Sequence, residues 1–243
     1  MESKPTANIY VDGFNLYRQK LQHHPDAKWL DLDALAALLI PTHAIKRIRY
    51  FTAMIRPALG TDPRAPIRQQ TYVRALRTNP KVTIHEGQYR NDARLMPALP
   101  ITFDDAGRIT RVKVRKTEEK GSDVNLASYM VFDACRDDAD LFVLVSNDSD
   151  FAAMLTLLTT ELDKQWALLS PVDNPNQSLL ALNPVFIKPI RRGALLTSQL
   201  PTEVRSAGVG VLKRPEEWSA NETGAPLGAP YPVAEASGGV ISV

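Results

Sequence analysis

Apolar and polar positions along the chain follow two alternating spacings. Short runs rich in Val, Ile, Phe and Tyr indicate β-strands at residues 8–11, 47–52, 82–85, 141–146 and 166–169. Between them, apolar positions recur at helical spacing near residues 14–22, 32–39, 67–78, 123–137 and 151–163. Strands that alternate with helices are typical of a parallel sheet with helices on its faces. The pattern therefore predicts an α/β fold.

Two segments interrupt this alternation. Residues 87–118 include the alternating sequence RITRVKVRK, and we interpret them as a β-hairpin excursion from the sheet. From about Pro201 the chain becomes rich in Gly and Pro. We expect residues 1–200 to form the domain and residues 201–243 to form an extension that is poorly ordered or acts as a docking arm. Within that extension, Trp218 in RPEEW has the most to gain by docking.

The charge of the chain is unevenly distributed. The net charge is only +2, but thirteen basic and five acidic residues lie between Arg56 and Lys116. This excess favours a surface that attracts phosphate groups, although a solvated, variable surface segment would look the same.

The composition also limits cellular context. No apolar run approaches the about 20 residues needed to span a bilayer, and the N-terminal residues lack the apolar centre of a signal peptide. We therefore expect a cytoplasmic protein without a membrane partner. The single Cys135 excludes an internal disulfide and a multi-cysteine zinc site, and we expect it to be buried. Dinucleotide and P-loop binding are poorly supported because neither glycine-rich motif occurs.

Acidic residues follow two of the predicted strands. Asp12 ends the strand in NIYVD, and Asp148 and Asp150 follow the strand in LFVLVSNDSD. These two strands are the most apolar in the chain, so we expect both to lie centrally. Ligands collect at the carboxyl ends of parallel strands, particularly where the strand order reverses. Asp123, which follows the loop at Gly121, is a third candidate.

Each acid near a predicted helix start could cap that helix instead of binding a ligand. Ser122 or Asp123 could cap one helix, and Asp148 or Asp150 could cap another. If the acids instead converge, they repel one another unless a divalent cation offsets their charge. Oxygen ligands without a His or Cys cluster suit Mg²⁺ or Mn²⁺ rather than zinc. The chemistry expected of such a site is metal-assisted phosphoryl transfer.

Three blocks of sequence together resemble a known family. VDGFNLY, EEKGSDVNLA and VSNDSDF occur in the order and at the separations of the NYN domain family, bacterial relatives of the PIN-domain nucleases. The resemblance extends from Asn8 to about Pro201. It implies a PIN-like three-layer α/β/α fold with a mostly parallel sheet, and a metal-dependent ribonuclease site.

The resemblance also implies roles for individual residues. The four acids Asp12, Asp123, Asp148 and Asp150 match the catalytic, metal-binding carboxylates. Four polar residues match positions that orient ligands or contact RNA, namely Asn15, Ser146, Asn147 and Lys120. Glu119 is a weaker candidate for the metal shell.

One position departs from the family pattern. Many members of the wider family carry another acid six residues beyond the position of Asp123, where this chain has Tyr129. Asp133 cannot replace that acid, because it lies roughly 15 Å farther along the helix. The sequence therefore leaves open whether the site binds one metal ion or two.

The sequence thus predicts a cytoplasmic endoribonuclease that uses Mg²⁺ or Mn²⁺ and takes RNA as its partner. The alternative is a non-catalytic RNA-binding or regulatory module that keeps the acidic pocket for a structural ion. The sequence does not give the RNA target. It also does not show whether the protein is a monomer or a homo-oligomer.

Overall fold

The structure, a computed structural model, describes residues 3–55, 62–206, 208 and 210–219. Seven strands form one sheet in the order β4-β3-β2-β1-β5-β6-β7. Their bounds are β1 Thr6–Asp12, β2 Ala44–Ala53, β3 Val82–Pro97, β4 Arg111–Lys120, β5 Leu141–Val145, β6 Trp166–Ser170 and β7 Ile187–Pro189. Neighbouring strands are parallel except β3 and β4, which pair antiparallel.

Helices cover both faces of this sheet. They are α1 Gly13–Leu16 with a π-helical turn at Tyr17–Leu21, α2 Leu32–Leu39, α3 Ala65–Leu76, α4 Ser122–Cys135, α5 Ala152–Thr160 preceded by a 3₁₀ turn at Ser149–Phe151, α6 Gln177–Leu180 and α7 Arg192–Thr197; a further 3₁₀ turn spans Pro25–Ala27. Successive side chains of β1 enter opposite cores. Ile9 and Val11 join the core that contains α2 and α3, and Tyr10 joins the core that contains α4 and α5. The predicted α/β/α fold is confirmed.

The five predicted strands are all present, and β1 and β5 lie centrally as expected. The hairpin excursion is also present, because β3 continues from the sheet to Pro97 and pairs with β4. The sequence pattern missed β7, which has only three residues, none of them buried. It also predicted one continuous helix over residues 14–22, whereas the structure has the short α1 followed by the π-helical turn.

The described part of the C-terminal extension packs on the domain. Two short strands, β8 Glu203–Ser206 and β9 Gly210–Lys213, form a hairpin, and a 3₁₀ turn follows at Glu216–Trp218. The Trp218 ring lies 6.3 Å from the ring of Trp29 and 6.1 Å from that of Tyr72. Residues 220–243 of the predicted extension lie outside the described residues, and the boundary at residue 200 remains a prediction.

Cys135, which we expected to be buried, is exposed at the C-terminal end of α4. The end of this helix faces solvent, so the apolar character of the thiol did not decide its position.

In the described part of the chain, no helix is both long enough and apolar enough to cross a membrane.

A buried ion pair joins α4 to the sheet. The two carboxylate oxygens of Asp133 accept from Nε and Nη2 of Arg49, both at 2.7 Å, and one of them also accepts from the Tyr10 hydroxyl at 2.8 Å. The Arg49 and Asp133 side chains are 8% and 3% exposed. Asp133 therefore anchors the helix, in agreement with its exclusion from the predicted metal site.

Replacing Asp133 should be costly because a buried guanidinium would lose its counter-charge. We expect Asp133→Asn to lower the free energy of unfolding by at least about 3 kcal/mol, measured by urea denaturation. The matched control is Asp137→Asn, which removes an exposed pair with Lys164 and should cost less than about 1 kcal/mol. Equal effects of the two substitutions would contradict an anchoring role.

Candidate functional site

The predicted acids meet at the point where the strand order reverses. From β1 the chain proceeds outward to β2 and β3, whereas β5 lies on the other side of β1 and is followed outward by β6 and β7. Val11 of β1 is paired with Val145 of β5, so Asp12 and Ser146 leave the sheet side by side. Such a switch point leaves a crevice at the carboxyl ends of the strands, where open α/β sheets bind ligands.

Asp12 is the most buried acid of this site, at 4% exposure. Its Oδ1 accepts from the backbone N–H of Asn15 at 2.9 Å, and its Oδ2 accepts from the Ser146 hydroxyl at 2.8 Å. Burial raises the pKa of Asp12, the two hydrogen bonds oppose that shift, and the charges of Asp148 and Glu119 add to it. Asp12 thus caps α1 and also belongs to the acidic group.

The polar residues beside the acids hold the loops together. Asn15 Oδ1 accepts from the backbone N–H of Asn147 at 3.1 Å, and Asn147 Oδ1 accepts from the backbone N–H of Asn176 at 2.7 Å. The Ser146 hydroxyl accepts from the backbone N–H of Asp148 at 3.1 Å while it donates to Asp12. These side chains therefore position the loops after β1, β5 and β6 relative to one another.

Helix capping explains part of the second acidic pair. Asp148 Oδ1 accepts from the backbone N–H of Asp150 at 3.0 Å and caps the 3₁₀ turn before α5. Asp150 lies in the first turn and is exposed. Capping uses only one carboxylate oxygen of Asp148, so the other oxygen stays available for a ligand.

The start of α4 is capped by neither of the residues that the sequence suggested. The N-cap position is Gly121, in a left-handed conformation at φ 96°, and it makes no side-chain cap. Instead, the Glu119 carboxylate accepts from the backbone N–H of Ser122 at 3.1 Å. The capping alternative is therefore wrong for Asp123.

The electrostatics show that the acids share one region. The pKa of Asp123 is raised to about 6, first by partial burial and then by four nearby carboxylates. These carboxylates are Asp12, Glu119, Asp148 and Asp150. We call the five residues the acidic cluster. It contains all four acids predicted from the sequence.

The donor chemistry of the acidic cluster suits a hard divalent cation. Its ligand atoms are carboxylate oxygens, and their mutual repulsion would be relieved by added positive charge. Among the described residues, no three acidic, His or Cys side chains are close enough to hold one ion directly. Mg²⁺ needs only one or two carboxylates and keeps several waters, so the residues fit an ion bound partly through water.

Lys120, which was expected to contact phosphate, pairs with an acid of its own strand. Its ammonium lies 3.3 Å from the Glu118 carboxylate on the β3–β4 hairpin, and its side chain is 56% exposed. Lys116 also pairs with Glu118, and both lysines lower the pKa of Glu118 to about 2. Lys120 remains a candidate for RNA contact at the edge of the site.

Tyr129, at the position where an acid was expected, belongs to a packed cluster. Its ring lies 4.1 Å from the His85 ring, and the Arg49 guanidinium lies 4.6 Å from its centroid. Burial, followed by the charge of Arg49, lowers the pKa of His85 to about 4. This position therefore supports the ion pair of Arg49 and Asp133.

A cavity of about 530 Å³ adjoins the acidic cluster. Gly13, which follows Asp12, lines it, and so do Tyr50 and Tyr89. Burial raises the pKa of Tyr50, and the charge of Asp12 adds to this shift; burial also raises the pKa of Tyr89, and the charge of Glu119 adds to it. The two tyrosines therefore lie between the cavity and the acids.

The NYN domain family matches residues 6–191, more than three quarters of the chain. The chain belongs to the NYN domain family. This family is of the nuclease type, as the three sequence blocks implied. The chain is also 30% identical over 246 aligned positions to 6-hydroxy-3-succinoylpyridine 3-monooxygenase HspA of Pseudomonas putida, an alignment that covers 90% of this chain and 77% of that protein.

A solved structure is more distantly similar. It is a protein of unknown function, VPA0982, from Vibrio parahaemolyticus, with 18% identity and a TM-score of 0.48, covering 79% of this chain and 98% of that one. Its similarity to this chain is too low to support a conclusion about function.

Sequence reasoning missed several parts of the NYN site. Glu119 was given a minor role, although it caps α4 and raises the pKa values of Asp12 and Asp123. Gly87 was not singled out, yet a Cβ there would lie 2.8 Å from the Ser122 hydroxyl and the carbonyl of Lys120. Asn176 gave no signal because its contact with Asn147 depends on the fold.

Gly13 should be required by close packing. A Cβ at this position would lie 2.6 Å from the Phe51 carbonyl oxygen and from the Tyr50 ring. We expect Gly13→Ala to lower the free energy of unfolding by about 1–3 kcal/mol, as measured by urea denaturation. Gly193→Ala, where the same Cβ meets open space within α7, should leave stability unchanged or raise it. A neutral Gly13→Ala would show that the loop after β1 shifts freely.

Proposed function

We propose that this chain is a metal-dependent endoribonuclease that cleaves RNA at the acidic cluster. The observation that supports this proposal most directly is the convergence of five carboxylates at the switch point, where burial and then their mutual charge raise the pKa of Asp123 to about 6. Perturbed acids in such a crevice are typical of a functional site. Membership of a nuclease-type family supports the same conclusion.

The residues have distinct proposed roles. One or two of Asp12, Asp123 and Asp148 would hold Mg²⁺ or Mn²⁺ directly, and the remaining acids, Asp150 included, would contribute through water. Bound there, the ion would activate a water for attack on the phosphodiester and stabilise the leaving oxygen. Ser146 holds Asp12 by donating its hydroxyl proton and fixes the backbone of Asp148.

The surrounding residues would support RNA binding. Asn15 and Asn147 fix the loops that border the crevice. Lys120 would contact RNA phosphates near this edge, and the exposed Arg111 and Lys113, farther out on the β3–β4 hairpin, would contact phosphates at a greater distance from the site. All residues of the proposed site come from one chain, so the proposal does not require a homo-oligomer.

Removing a ligand charge should abolish cleavage without unfolding the protein. We expect Asp12→Asn and Asp148→Asn each to reduce Mn²⁺-dependent cleavage of labelled RNA at least about 100-fold. Asp137→Asn, just beyond the C-terminal end of α4 and away from the site, should cleave at the unaltered rate. Cleavage that persists in both site variants or in EDTA would disprove the site. Metal-independent RNA binding by all variants, with no cleavage at all, would favour the non-catalytic module.

A second candidate function is oxygen insertion into a heteroaromatic acid. It is favoured by the 30% identity to a protein named as a monooxygenase of 6-hydroxy-3-succinoylpyridine, over 90% of this chain. Such a reaction consumes molecular oxygen and a two-electron reductant, with one oxygen atom entering the ring and the other leaving as water. The cavity beside the acidic cluster offers space for a small substrate.

This second candidate has a direct test. The purified protein would be incubated with 6-hydroxy-3-succinoylpyridine, a nicotinamide reductant and air, and oxygen and reductant consumption would be followed with product analysis. If the candidate is correct, consumption should depend on the pyridine compound and yield a product one oxygen atom heavier or cleaved at the hydroxylated carbon. If neither oxygen nor reductant is consumed, the candidate is rejected.

A further inference from the structure

One exposed aromatic ring lies directly beside the most buried acid of the site. Phe14 follows Asp12 and Gly13 in the first turn of α1 and is 39% exposed. This turn is fixed in two ways: Asp12 caps it through the backbone N–H of Asn15, and Gly13 packs closely against Tyr50. The backbone of Phe14 is therefore held relative to the acidic cluster by the same contacts that place Asp12.

A positive charge lies on a face of this ring. The Arg18 guanidinium lies 4.7 Å from the centre of the Phe14 ring, and both residues are exposed and line the cavity. Within the described part of the chain, no carboxylate forms an ion pair with Arg18. The two side chains thus present stacked flat surfaces together with a cation that is available to an anion.

The stacked pair borders the acidic cluster. Tyr89 lines the same cavity and is paired across the β3–β4 hairpin with Glu119 of the acidic cluster. Burial raises the pKa of Tyr89, the charge of Glu119 adds to this shift, and the charge of Arg18 opposes it. Arg18 and Glu119 therefore both lie close to the Tyr89 side chain, at the border between the cavity and the acids.

The chain contains a second pair of the same kind at a different place. Phe132, which is 53% exposed, has the Arg136 guanidinium 5.4 Å from its ring centre, with the same spacing of four residues. Neither residue lines the cavity, and Phe132 lies roughly 14 Å along α4 from Asp123. An exposed Phe–Arg pair is therefore not a site by itself. Phe14 and Arg18 differ from this pair by their position between the cavity and the acids.

The chemistry of this surface suits one nucleotide of RNA. Each nucleobase has a flat face that stacks on aromatic rings and on guanidinium planes, and each nucleotide carries a phosphate that an arginine can contact. The cavity of about 530 Å³ next to the ring has room for a base. A base within a duplex is already stacked and paired, so only an unpaired nucleotide can lie on the ring.

We propose that the Phe14 ring stacks one unpaired base next to the scissile phosphate and that Arg18 contacts a phosphate of the same nucleotide. This stacking site rests on the proposed ribonuclease function, because it places the base beside the bond that the acidic cluster would cleave. Stacking does not read the edges of a base, so the site selects an unpaired nucleotide rather than a particular sequence.

RNA that lacks a single base tests the stacking. The bond cleaved in a labelled single-stranded RNA is first mapped with Mn²⁺, and each nucleotide beside that bond is then replaced by an abasic one. For one of these replacements we expect wild-type cleavage at that bond to slow at least about 5-fold. Phe14→Ala should slow cleavage of the parent RNA by a similar factor and should cleave the abasic RNA no more slowly than the parent.

Further substitutions separate the ring from general packing. Phe14→Trp keeps an aromatic face and should stay within about 3-fold of the wild-type rate, whereas Phe14→Leu should lose as much as Phe14→Ala. The matched control is Phe132→Ala, which removes an exposed ring with a stacked arginine away from the site and should cleave at the wild-type rate. Circular dichroism would establish that each variant is folded.

Binding measured in EDTA does not depend on cleavage. By fluorescence anisotropy with the same labelled RNA, Phe14→Ala should weaken binding at least about 5-fold. Arg18→Met should reduce the slope of log affinity against log salt concentration by about 0.7, because one phosphate contact to a single strand is lost. Arg136→Met, the matched control, should leave that slope unchanged.

The outcomes separate this site from the ribonuclease proposal. If RNA is cleaved but neither Phe14→Ala nor any abasic replacement slows cleavage, the stacking site is wrong and the ribonuclease proposal stands. An abasic replacement that slows wild type and Phe14→Ala equally would also overturn the site, since the base would then lie elsewhere. If no RNA is cleaved, but binding in EDTA falls with Phe14→Ala and with the loss of one base, the stacking site stands without the ribonuclease.

Discussion

The site depends on the burial of one carboxylate, that of Asp12, at the end of the central strand. A buried carboxylate is costly unless its oxygens are bonded, and the partners of Asp12 in the described chain are neutral donors, the Asn15 backbone and the Ser146 hydroxyl. The first donor makes Asp12 the cap of α1. The second joins β1 to β5 just beyond their last pair. The same two hydrogen bonds therefore determine where the chain turns after β1 and how the two halves of the sheet meet.

The chain contains a second buried aspartate whose charge is balanced in a different way. Asp133 lies against Arg49 with two 2.7 Å contacts, so its charge is balanced within the protein. Burial raises the pKa values of Asp12 and Asp123, and the charges of neighbouring acids raise both further. A protein that only required a rigid fold would gain from the first arrangement and lose from the second. This difference supports the proposal that a positively charged ligand binds at the acidic cluster.

Much of the fold could be predicted from the sequence because its central elements are long and apolar. β1 and β5 appeared where their apolar runs predicted them, and the acids after them follow from strand polarity. β7 and the pairing of β8 with β9 were not predictable, because these strands are short and depend on tertiary contacts. The sequence also could not distinguish capping from site roles. The cap of α4 comes from Glu119, which lies before the helix in an antiparallel strand, and no local pattern indicates that.

The cavity and the acidic cluster share a wall, and this arrangement bears on how one fold could serve two chemistries. Tyr50 and Tyr89 face the cavity yet are affected by the charges of Asp12 and Glu119. The acidic edge itself needs only the strand order and the caps, so it would persist in any relative that keeps them. The cavity is completed by Trp218 from the C-terminal extension, beyond the 6–191 segment that defines the family match. One wall of the cavity thus comes from the part of the chain outside the family match. A change at Trp218 would therefore alter this wall of the cavity while leaving the acidic cluster in place.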